Sequence, residues 1–142
     1  MKFAMTSPIA ASKLAAACVL LTLAGCASFA PRTPEEQVKA RAQARHDAIL
    51  KGDRNTAYEY FAPGFRATVS AESYKNSIGN AVETVGATVE SVRCETLEKC
   101  VAQVKLEVKP IAVRAFAGTI VTTYANETWL LEAGQWWLFQ TL

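Results

Sequence analysis

The chain has 142 residues, 51% apolar and 20% charged, with 15 Lys and Arg, 13 Asp and Glu and one His. That length predicts one domain, the apolar share excludes a disordered chain, and a net charge of +2 leaves no basic footprint for nucleic acid. The excess charge is Lys2 and Lys13; from Cys26 onward the chain carries 13 residues of each sign.

Residues 1 to 25 read as an address. Lys2 and Lys13 lie in a polar start, and Leu14 to Leu23 is almost wholly apolar. Ten residues rise only about 15 Å as a helix, roughly half a bilayer core, so this run is too short to span a membrane. A positive start, a short apolar run and small residues at its exit are the layout of a secretory signal peptide. The four residues at the end of this run, Leu23-Ala24-Gly25-Cys26, resemble the lipobox of bacterial lipoproteins. That resemblance implies cleavage before Cys26 and its acylation, with two or more acyl chains giving a durable anchor. The next residue is Ala27, not Asp, which among Gram-negative lipoproteins implies the periplasmic face of the outer membrane. Residues 26 to 32 are then a lipidated Cys and a short tether, about 20 Å when fully extended.

The domain is expected over residues 33 to 142. Thr33-Pro34-Glu35-Glu36 is a helix start, with a capping Thr, Pro in the first turn and Glu three residues after the cap. This helix is predicted to run to about Lys51 and stop at Gly52. Val38, Ala42 and Ile49 mark its apolar face, with Arg45 on the same face and His46 on its shoulder. Asp53 caps a second, aromatic helix over residues 54 to 61, ended by Pro63-Gly64. Ser70 caps a third, to about Ile78, carrying Tyr74.

After Gly79 the pattern changes to alternation. Val85, Ala87 and Val89 mark one strand; Ala102, Val104, Leu106 and Val108 mark the next, alternating with polar residues. A longer strand from about residue 119 to 131 follows, then the turn Ala133-Gly134, then a last strand from Gln135. Helices followed by antiparallel strands define an α+β fold. Cys94 and Cys100 fall at facing ends of two strands, so a hairpin sets them opposite each other within disulfide range. Metal binding lacks a second ligand pair or a suitably spaced His, and a redox-active pair lacks the C-x-x-C spacing. No cofactor motif is present.

Gly52-Asp53 after the first helix, Tyr58 and Tyr60, Pro63-Gly64-Phe65-Arg66, and the closing Trp129 with Gly134-Gln135-Trp136-Trp137 together resemble the nuclear-transport-factor-2-like (SnoaL-like) domain, over residues 33 to 142. The whole chain resembles small proteobacterial lipoproteins that carry it. The resemblance implies a curved antiparallel sheet wrapped by helices into a cone with a pocket, and a possible homodimer through the sheet face. It implies no reaction, because this fold serves enzymes, transport adaptors and secretion subunits alike.

The site residues are therefore weighed singly. Glu127 shares a strand face with apolar neighbours, and a carboxylate turned inward needs a partner; Arg45 and Arg66 are the candidates. Tyr58, Tyr74 and Trp129 are candidate pocket lining. Trp136 and Trp137 are adjacent on a strand, so one must leave the core. Asp53 is a helix cap. Asp47 points about 100° away from His46 on the helix, and His46 reads as a packing residue, so no acid–base constellation is legible. Arg41 reads as part of a solvated or salt-bridged ridge. The expected function is a lipid-anchored, non-catalytic domain that binds a small apolar ligand or a protein. The alternatives are an isomerase, dehydratase or hydrolase on the same fold, or a subunit of an envelope assembly.

Overall fold

The computed structural model describes residues 32–77, 82–111 and 118–141. The signal-peptide and lipidation readings, Cys26 included, fall outside these residues. Four helices precede four strands: α1 Pro34–Leu50, α2 Arg54–Tyr58, α3 Pro63–Thr68, α4 Ala71–Ser77, β1 Val82–Thr96, β2 Lys99–Pro110, β3 Val121–Glu132 and β4 Gln135–Phe139.

Helix α1 begins and ends on local chemistry. The Thr33 hydroxyl accepts the Glu36 N–H at 3.2 Å, and the Glu36 carboxylate accepts the Thr33 N–H at 2.9 Å, a reciprocal capping box. At the other end Gly52 has φ +76°. Its N–H reaches the Ile49 carbonyl while the Asp53 N–H reaches Ala48, both at 2.9 Å. This is the Schellman closure that a left-handed glycine permits. Asp53 at once caps α2, its carboxylate accepting the Thr56 N–H at 3.0 Å.

Two helix boundaries differ from the sequence expectation. The second helix stops at Tyr58, because Phe61 forms a parallel bridge with Leu138 of β4. Leu138 N–H donates to the Tyr60 carbonyl at 2.8 Å, and Ala62 N–H donates to the Leu138 carbonyl at 3.1 Å. Pro63-Gly64 does not merely end a helix: Pro63 opens α3, a position where its missing N–H costs nothing. Ser70 caps the following helix as expected, accepting the Ser73 N–H at 3.1 Å.

The four strands form one antiparallel sheet in the order β1-β2-β3-β4, and the class is α+β. Register shifts between Thr84 and Gly86, Val89 and Ser91, and Cys94 and Thr96 bulge β1 against β2, which bends and twists the sheet. The β3–β4 turn places Ala133 and Gly134 at φ 50° and 75°, the left-handed pair that suits a two-residue hairpin. The inner face carries Val89, Cys100, Ala102, Val104, Trp129, Trp136 and Leu138, which join Val38 and Ala42 of α1 with Tyr58, Phe61 and Tyr74 in one core. Gln43 fastens α1 to the sheet edge: its amide donates to the Ala87 carbonyl at 3.1 Å and accepts the Val89 N–H at 2.9 Å. Among the described residues no helix is long and apolar enough to cross a membrane.

Candidate functional site

Glu127 lies on β3 opposite Ala102 of β2, and so on the inner face. Its Oε1 accepts Arg45 Nη1 at 2.7 Å and bonds His46 Nε2 at 2.9 Å. The side chains of Arg45, His46 and Glu127 are 9%, 6% and 12% exposed. Arg45 also donates from Nη2 to the Tyr74 hydroxyl at 3.4 Å, and its guanidinium lies over the Phe61 ring at 5.3 Å. Burial pushes the Glu127 carboxyl up. The His46 hydrogen bond, the charges of Arg45 and His46, and the nearby Trp129 indole outweigh burial and hold it below the ordinary carboxylate value.

Adjacency on α1 does not keep Arg45 and His46 apart. Residues about 100° apart on a helix straddle its inward face, and both side chains converge on one carboxylate oxygen from either flank. The expected pairing of Glu127 with Arg45 is present, and the reading of His46 as a packing residue is corrected: a guanidinium, an imidazole and a carboxylate meet in the core. Alternation in β3 pointed to Glu127 and the apolar face of α1 pointed to Arg45, whereas His46 had no signal beyond sitting on the shoulder of that face.

Arg66 is not a partner of Glu127. It pairs with the Glu59 carboxylate, donates from Nε to the Phe61 carbonyl at 3.1 Å, and lies over the Trp137 ring at 5.4 Å. Its place on α3 carries it to the β4 edge, away from the middle of β3. Tyr58, Tyr74 and Trp129 are corrected as pocket lining, since all three are core residues exposed by 7%, 5% and 0%. The Tyr58 hydroxyl donates into the α3–α4 connection, with the Val69 carbonyl at 2.7 Å and that of Arg66 at 3.2 Å. Tyr74 packs against Tyr58 and Phe61 at 5.7 and 5.0 Å between ring centroids. Asp47 accepts the Gln43 amide at 2.9 Å.

Cys94 and Cys100 are directly opposed in the β1–β2 register and disulfide-bonded, with Cα atoms 3.8 Å apart. Among the described residues no group of three His, Cys, Asp or Glu could hold a metal ion.

Among the pockets on the described surface are three that are not lined by Arg45, His46 or Glu127. One is a mainly apolar groove at Phe65 and Phe139, and another lies between the end of α1 and the start of β1. The third gathers side chains from α1, α2, α3 and β4 around Trp137. Trp136 is the buried member of the tryptophan pair and Trp137 the half-buried one. Above Trp137 lie two guanidiniums, of Arg41 at 5.5 Å and Arg66 at 5.4 Å. Arg41 also covers the Tyr60 ring at 5.0 Å, so it is an aromatic-stacked cation and not part of a solvated ridge. The WW pair signalled only that one of the two rings leaves the core, not what lies against it.

Compared with known proteins, the chain matches no family model and no curated sequence.

Proposed function

We propose that this chain is an envelope lipoprotein, acylated at Cys26 and held at the periplasmic face of the outer membrane. Its domain over residues 33 to 142 is of the nuclear-transport-factor-2-like kind and acts by binding, not by catalysis. The observation that carries the binding reading is that Arg45 and His46 both bond Glu127 Oε1 below the surface, at 2.7 and 2.9 Å, and that none of the three lines the pockets described above. An acid–base catalyst must reach a proton on its substrate, whereas these groups spend their strongest contacts on one another beneath the core surface. The Leu23-Ala24-Gly25-Cys26 run supports the anchor, and the α+β order of helices and curved antiparallel sheet supports the domain type.

Metabolic labelling with a palmitate analogue tests the anchor. The wild-type protein is expected to take up label and sediment with outer membranes, and Cys26→Ala to lose both properties. Label retained by Cys26→Ala, or a wild type that takes up none, overturns the lipoprotein reading. Turnover of any small substrate, abolished by Glu127→Gln in a folded protein, overturns the non-catalytic one.

The reading as an assembly subunit or homodimer has one feature in its favour. Strand β3 runs past β4, which pairs only with Thr128–Glu132, and Ile120, Val121 and Tyr124 are 55%, 39% and 57% exposed in that extension. From Val121 to Asn126 this edge carries no charged side chain, which favours pairing with another chain.

A further inference from the structure

The pocket around Trp137 has a volume of about 380 Å³, within the range of small-molecule sites. Its composition is specific. Trp137 and Tyr60 supply aromatic faces, Arg41 and Arg66 supply two guanidiniums, and Glu59 and Gln135 complete the polar rim. The charges do not cancel. Arg66 is paired with Glu59, whose side chain is 63% exposed. Arg41 has no carboxylate partner among the described residues. It is steadied by the two ring faces and, in the amide orientation that satisfies both groups, by the Gln135 carboxamide oxygen. Its Nε is buried without a hydrogen bond.

A guanidinium stays charged at any ordinary pH and presents its donors in a planar fork matched to carboxylate and phosphate oxygens. Stacking on two rings holds that fork in place, so little side-chain entropy is left to lose when an anion arrives. The second guanidinium, against the same indole, adds a like charge that a bound anion would offset. The indole and phenol faces favour a flat, unsaturated body over a hydrated sphere.

We propose that this pocket is a binding site for small planar organic anions, with Arg41 and Arg66 on a carboxylate or phosphate group and Trp137 and Tyr60 lining the space for the attached ring. It names the ligand class for the binding reading given above and rests on that reading. The position explains why residues from four elements converge there: the Tyr60–Leu138 and Ala62–Leu138 hydrogen bonds pin the α2–α3 connection to β4, bringing Arg66 and Tyr60 beside Trp137.

The test uses the purified full-length protein, labelled with ¹⁵N, and the indole N–H signal that disappears in Trp137→Phe. Benzoate and phenyl phosphate are expected to move that signal saturably, with a Kd of about 1 mM or tighter, while neutral benzamide leaves it in place. Arg41→Gln is expected to weaken benzoate binding about tenfold or more, and Glu59→Gln to tighten it. Silence with both anions, an equal response to benzamide, or unchanged affinity in a folded Arg41→Gln protein overturns the site. Should Arg41→Gln fail to fold, Glu59→Gln decides, since unchanged or weaker binding there also overturns it. A response to only one anion keeps the site and states whether carboxylate or phosphate is its group. A protein that is never acylated yet binds benzoate refutes the envelope reading and leaves the site; an acylated protein silent to both anions refutes the site alone.

Discussion

Arg45 of α1 and Glu127 of β3 meet at 2.7 Å although 82 positions separate them in the chain. Their contact, with His46 on the same carboxylate oxygen, joins the helical layer to the middle of the sheet. Buried pairs return little net stability when formed, yet removing one partner leaves a charge stranded in the core. Glu127→Ala is therefore expected to destabilise the fold by about 3 kcal/mol or more. The double replacement Arg45→Met with Glu127→Leu is expected to recover much of that loss. Urea unfolding of the two variants and the wild type measures both; a Glu127→Ala protein as stable as wild type would show the pair to be incidental.

The same carboxylate makes stability depend on acid. Its folded pKa is below the unfolded one, because the His46 hydrogen bond and the neighbouring positive charges outweigh the opposing effect of burial. The ionised form then contributes stability that is fully present above the unfolded pKa, about 4.3 for Glu, and is lost as pH falls through the folded value. Asp53 and Glu95 are also held low, by the Thr56 N–H and by the Lys99 ammonium respectively. Glu127→Gln should therefore flatten only part of the acid slope in a series of urea midpoints. An unchanged slope would mean that Glu127 does not report on folding.

The Cys94–Cys100 bond closes a small loop at the turn end of the β1–β2 hairpin. On the chain-entropy account such a loop contributes about 2 kcal/mol. Since Cys100 is fully buried beside Trp129 in the core, a double Ser variant also introduces a buried hydroxyl. Reduction of the wild type is the cleaner measurement. Denaturation with and without dithiothreitol should show the midpoint falling on reduction, and no shift would mean that the bond does not constrain the unfolded chain.

The two adjacent tryptophans should differ sharply. Trp136 is 3% exposed within the core, so Trp136→Ala is expected to cost about 3–5 kcal/mol. Trp137, half-buried under two guanidiniums, gives up less area, and Trp137→Ala is expected to cost about 1–2 kcal/mol. Thermal melts of the two variants compare them directly. Equal losses would mean that the arginine stack is as tightly built as the core.

What was legible along the chain was whatever is decided by neighbours. The start and stop of α1, the cap at Asp53, the β1–β2 hairpin with its facing cysteines and the alternation that turned Glu127 inward all depend on residues within a few positions of one another. Chain order then yielded the α+β class. The second helix was overread because its end is set by Leu138, some 80 residues away, whose backbone captures Tyr60 and Ala62. Arg45 and Arg66 were equally plausible partners for Glu127 until helix α3 carried Arg66 to the β4 edge. Tyr58 and Tyr74 passed from pocket to core for the same reason, since which surface a side chain faces depends on what packs against it. The stacking of Arg41 and Arg66 on one indole is wholly tertiary. A helix, a connection and an edge strand have to be brought together before a cation finds an aromatic face, and no local pattern encodes that meeting.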